Sequence, residues 1–212
     1  MNNEELQTIA QNIGKNYNYP NVEAEFAEFR DFKVTWQRSF QWISLKVSDY
    51  MQDAPEVIIS ELLDTIFAKI AGREADYTEA VRNWLLSPAF VRRNQPTYLR
   101  RSNATYDGRV KEAYNRLRDK GLVESRSDLA FCSKELPTGK PGTASMLLQS
   151  VIVDSDLVDK ASDDVLDLVV LVLTRHICRQ WPAENVHPKL LALGLDHLED
   201  LFLDLEDLGY HF

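Results

Sequence analysis

The stretch VLDLVVLVLTRHI, residues 165–177, decides the fold. Its apolar side chains occupy every face of a helical wheel, so the segment reads as a helix hydrophobic all round, buried at the centre of a core. Ser162 or Asp163 is the expected N-cap and Pro182 follows, which gives a central helix at about 164–180. With Asp167, Thr174, Arg175 and His176 inside it, and fewer than the ~20 apolar residues a span needs, it is not read as a membrane helix.

Working outward, 150–153 and the residues before them (146–153, MLLQSVIV) read as a strand paired with another at 127–133. Between them lies a Pro- and Gly-rich turn at 136–143. Residues 107–120, closed by Gly121, read as a helix. Residues 154–160 read as a short connection, and 187–195 and 196–208 as the last helices. Towards the N-terminus, period-two alternation across 22–47 predicts an antiparallel pair, with a bulge or turn near Trp42. Asp53 is the expected cap of a helix carrying Val57, Ile58, Leu62, Leu63, Ile66, Phe67 and Ile70, which Gly72 stops. A second helix is expected at 76–86. Residues 1–20 are expected as a flexible N-terminal segment around a short polar helix at 4–13. No internal repeat is evident. The order predicts α+β: a small antiparallel sheet packed against several helices, in one domain over 1–212.

Composition narrows the function classes. The chain has 212 residues, 44% hydrophobic and 27% charged, an ordinary globular composition, and a net charge of -9. Cys132 and Cys178 form no CxxC pair, so neither a disulfide scaffold nor a cysteine zinc site is expected. The polar N-terminus is no signal peptide, and the expectation is a cytoplasmic protein with no membrane partner. No GxSxG elbow or phosphate-binding glycine loop is present. The charge is uneven. Residues 92–120 hold Arg92, Arg93, Arg100, Arg101, Arg109, Lys111, Arg116, Arg118 and Lys120 against Asp107, Glu112 and Asp119. The helix after Asp196 has acids and no Lys or Arg. Arg92, Arg93, Arg100 and Arg101 around Tyr98 form a candidate surface for nucleic acid or another partner, since arginine pairs phosphate and an aromatic stacks a base. The alternative is a solvated basic face, or one that docks on the acidic tail.

His176, His187 and His197 form the other candidate constellation, because imidazole suits zinc. Taken alone, His176 reads as a hydrogen-bonded histidine at the end of a buried helix, and His187 as a helix N-terminal residue. VLDLVVLVLTRHI resembles the active-site helix of small SprT-like, minigluzincin-type zinc metallopeptidases, in which it reads roughly VLDYVLYHELLHI. The preceding SVIVDSDLVDKASDDVLD and the segment WQRSFQWISLKVSDYMQDAPEVIISELLDTIFAKI are similar to other parts of that family. The resemblance implies a minigluzincin-like fold, with His176 on the second His of HExxH and His187 on the downstream ligand. In that register Val172 stands at the first zinc-binding His and Leu173 at the general-base Glu. Val cannot ligate and Leu cannot take a proton, whereas that chemistry needs both. The resemblance therefore implies a degenerate member with no catalytic residues and no cofactor. It would act by binding a protein or nucleic acid. The alternatives are a metal-dependent hydrolase with zinc in a rearranged ligand set around His176 and His187, and a nucleic-acid-binding module using residues 92–120.

Overall fold

The computed structural model describes every residue except Gln180 and Ala183. The chain is α+β and divides into two compact units, residues 1–90 and 91–212. Among the described residues, no helix is long and apolar enough to cross a membrane.

The first unit opens with helix α1 (Asn3–Asn16), not with a flexible lead-in. Asn2 accepts from the Glu5 backbone N–H while the Glu5 side chain accepts from that of Asn2, a capping box that starts the helix. Leu6 and Ala10 anchor it in the core. Strands β1 (Asn21–Ala27), β2 (Val34–Arg38) and β3 (Trp42–Ser48) form a sheet ordered β1-β3-β2. The expected antiparallel pair over 22–47 is corrected here: β1 runs parallel to β3, and β2 is antiparallel on its far side. Alternation is identical for both senses of pairing. It put Val22, Ala24, Ile43, Leu45 and Val47 on the buried face but carried no direction. The parity slip near Trp42 is the β2–β3 turn. After a 3-10 turn (Asp49–Met51) come α2 (Glu56–Ile70), whose N-cap is Pro55 and not Asp53, and α3 (Glu79–Leu85), capped by Thr78.

The basic segment 88–101 is a helix, α4 (Pro88–Arg101). Beyond it the second unit holds β4 (Thr105–Tyr106), α5 (Gly108–Asp119), β5 (Ala130–Lys134), β6 (Gly142–Ser145) and β7 (Ser150–Asp154). Helices α6 (Ser155–Lys160), α7 (Asp163–Ile177), α8 (Pro188–Leu191) and α9 (Leu198–Asp207) follow. The sheet order is β4-β5-β7-β6. Strands β5 and β7 are parallel, and β6, expected as part of a turn, is the antiparallel edge. Both sheets are thus mixed, not antiparallel. The expected connection at 154–160 is α6, which Asp154 caps through the Leu157 N–H. The central helix is α7. Ser162 caps it, Cys178 ends it, and the last expected residue, Gln180, lies outside the described residues.

The two units repeat one topology, although no internal repeat is evident in the sequence. Each has a strand, an antiparallel edge strand and a central strand parallel to the first. Each then makes a short helical turn before a 15-residue helix, α2 or α7. Aligned on their last residues, Ile70 and Ile177, the two segments place Ala54, Ile58 and Ile59 on Ala161, Val165 and Leu166, each buried.

Candidate functional site

Helix α7 carries the candidate chemistry and is almost wholly core: every residue from Val165 to Thr174 is buried. Val172 and Leu173 belong to the same apolar cluster as Val151 and Val153 of β7. Leu173 fills the space over Gly142 of β6, where an added Cβ would stand 2.4 Å from the Leu173 Cδ1. The helix reaches the surface only at its ends, with Asp163 and Asp164 exposed in the first turn and His176 half-buried in the last.

The histidines are used separately. His187 is exposed and caps α8, its Nδ1 accepting the Lys189 N–H at 3.2 Å. His197 sits at the start of α9 with a left-handed φ of 53°, its Nδ1 3.9 Å from Asp200. Among the described residues, no three His, Cys, Asp or Glu side chains converge to hold a metal. The rearranged set drawn from His176, His187 and a nearby acid or His197 is therefore not assembled among them.

The neighbour of His176 has the larger structural part. Arg175 donates from Nε and Nη2 to the Leu122 carbonyl, at 3.2 and 2.9 Å. From Nη1 it donates to those of Leu191 and Leu193, at 2.8 and 2.6 Å. One guanidinium thus ties the loop after α5 to the segment around α8. Burial among these carbonyls pulls its pKa below the usual arginine value. A lone arginine in the last turn of an apolar helix was the sequence signal for it.

Within the basic segment, Arg109, Arg116 and Lys120 pair with acids of α7 in their own unit. Arg116 bonds Asp167 of α7 through Nε and Nη2, at 2.9 and 2.7 Å, and Lys120 lies 3.5 Å from the same carboxylate. The hydrogen bond to Asp167 raises the Arg116 pKa. Arg109 and Arg116 also reach Asp163. Arg109, Arg116 and Lys120 thus meet their acids in the first turns of α7. In α4, Arg92, Arg93 and Arg100 are exposed and Arg101 is half-buried. Tyr98, expected as a stacking platform, is only 6% exposed beside buried Leu99. Helical spacing explains this: Val91, Asn94, Tyr98 and Leu99 share the inward face.

A cavity of about 330 Å³ that the sequence did not announce lies between the 135–139 loop and the C-terminal residues. Glu135, Asp154, Asp156 and Tyr210 line it. Asp154, buried at the end of β7, accepts from the Leu136 N–H at 2.7 Å, the Leu157 N–H at 3.2 Å and the Tyr210 hydroxyl at 2.8 Å. Burial, then the bond to Asp154 and its charge, push the Tyr210 hydroxyl up to about 12. With its carboxylate committed to these three donors, Asp154 acts as a structural hub. Comparison with protein-family models, curated proteins and solved structures finds no match to this chain.

Proposed function

We propose that this chain is a non-catalytic, metallopeptidase-like protein that works by binding a partner protein. The observation that carries the reading is the packing of Leu173. In the HExxH register this position belongs to the general base, which must face a metal-bound water. Here it presses an apolar side chain onto Gly142. Val172, at the first ligand position, is equally committed to the core. A protein partner is favoured over nucleic acid because the chain is acidic overall and Tyr98 does not present its ring.

Metal analysis of protein purified without chelators tests the reading. The expected result is no stoichiometric zinc and no chelator-sensitive peptide hydrolysis. One zinc per chain that disappears in His176→Ala or His187→Ala would restore the rearranged-ligand hydrolase. For the partner class, titration with single- and double-stranded DNA at low salt is expected to show no binding. Low salt is where counterion release would favour it most. Tight, salt-sensitive binding weakened by Arg92→Ala or Arg100→Ala would instead select the nucleic-acid module.

A further inference from the structure

A sheet edge with unpaired backbone groups templates another strand, and proteins usually blunt it. Three of the four edges here are blunted. The β1 edge is covered by α1: Gln7 accepts from the Ala24 N–H at 2.6 Å and donates to the Val22 carbonyl, and Asn3 accepts from the Phe26 N–H at 2.8 Å. In the second unit β4 is two residues long and β6 is partly buried. Among the described residues, nothing of that kind covers the β2 edge. Its residues run half-buried then exposed, VTWQR, with no proline and no acid. Trp36 is 43% exposed, and Phe40 at the following turn is 91% exposed.

The register fixes which groups are open. Ser39 donates to Trp42 and Ser48 to Lys33 across the β2–β3 ladder. By the alternation of antiparallel pairing, residues 33, 35, 37 and 39 face β3. Val34, Trp36 and Arg38 therefore aim their N–H and C=O outward. Their side chains share the sheet face of Val47, Leu45 and Ile43, the residues opposite them.

We propose that β2 pairs antiparallel with β2 of a second copy of this chain, about a twofold axis at Trp36. That register sets Trp36 against its own counterpart and Val34 against Arg38. All three are hydrogen-bonding pairs in which every outward donor meets an acceptor. No like charges oppose. Arg38, the only charge in the strand, falls across from Val34, and its guanidinium already donates to the Ile70 carbonyl. At the centre the same register sets the part-exposed Trp36 ring against its own counterpart, an aromatic cross-strand pair, and exposed Phe40 lies in the turn just beyond each end. The pattern is self-complementary, as a twofold interface requires. This inference does not depend on the reading of α7.

Sedimentation of the full chain over rising concentration tests it, with W36K and W36E each alone and then mixed. The wild type is expected to form a dimer. Each variant alone sets like charges face to face, weakening the dimer about tenfold or more, while the mixture regains it as a heterodimer. V34P serves as a second variant, because it removes an outward N–H and leaves the β3 ladder intact. It is expected to weaken the dimer while keeping the wild-type circular dichroism. The proposal is overturned by a wild type that stays monomeric throughout, by W36K and W36E that each dimerise as the wild type does, or by V34P that leaves the dimer constant unchanged.

Discussion

Asp167 shows how a single polar side chain fits inside an apolar helix. It is 1% exposed, and an ionised carboxylate there is costly unless a cation meets it. Arg116 meets it with two hydrogen bonds and Lys120 adds charge. The consequences of breaking the pair are unequal. Arg116→Ala leaves a buried carboxylate facing only Lys120, and about 3 kcal/mol or more of stability should be lost. Asp167→Ala leaves two cations that are part exposed and can rehydrate, so the loss should be smaller, about 1–2 kcal/mol. Urea unfolding of the two variants checks the order, and a larger loss for Asp167→Ala would refute it. Asp128 holds a similar bond at lower burial. Arg126 donates to both its oxygens, at 3.0 and 2.6 Å, and keeps its pKa below the usual 3.8.

At the scale of elements, α7 and β6 meet closely where Leu173 lies over Gly142. A Gly142→Ala methyl would meet Leu173 Cδ1 at 2.4 Å and the Ile152 carbonyl at 3.0 Å, so about 1–3 kcal/mol should be lost to overpacking. Leu173→Ala should cost about 2–5 kcal/mol through the cavity it leaves. In the double variant the new methyl enters part of that cavity. Its cost should then fall short of the sum of the two by about 1 kcal/mol, a coupling that a double-mutant cycle measures directly. Additive costs would mean that the two do not share the space. This contact also marks where legibility in the sequence ended. Residues 165–177 were readable as a buried helix because nothing but apolar side chains fills its middle turns. The strands at 130–134 and 150–154 were legible as β-rich runs. Their parallel pairing was not, because it depends on β6 taking the outer edge, and GTAS carries too little apolar pattern to announce a strand. Pro96, on the exposed side of α4, masks the helix in the sequence, and with it the inward direction of Tyr98. The histidines could be counted in sequence, but their separation depends on where α8 and α9 begin.

At the scale of the whole molecule, the repeated topology accounts for two long apolar helices in one chain, and α2 carries no histidine at all. Few residues coincide between the copies, so burial repeats where letters do not. The groups that shape the pH response are shared out as well. In the first unit, burial raises the hydroxyls of Tyr17 and Tyr77 above their usual 10.0. In the second, burial and then the charge of Asp107 push the Cys132 thiol from 9.0 up to about 12, and Tyr210 moves from 10.0 to about 12. Each of these groups is neutral when protonated, and each holds its proton more tightly folded than unfolded. The stability they contribute is therefore complete below their usual values, 9.0 for the thiol and 10.0 for the hydroxyls, and is lost as pH climbs through their raised ones, about 12 for Cys132 and Tyr210. Asp128 works in the opposite direction: its contribution is complete above 3.8 and is lost as pH falls through its depressed value. Stability should thus form a plateau across neutral pH with a steep alkaline limb. Cys132→Ala removes the group that leaves the plateau first, so urea midpoints measured from neutral pH upward should begin to fall later than in the wild type. Tyr210→Phe should spare the onset near 9 and flatten only the part above 10. An onset unchanged by Cys132→Ala would mean that the thiol ionises as readily in the folded chain as in the unfolded one, against its complete burial in β5.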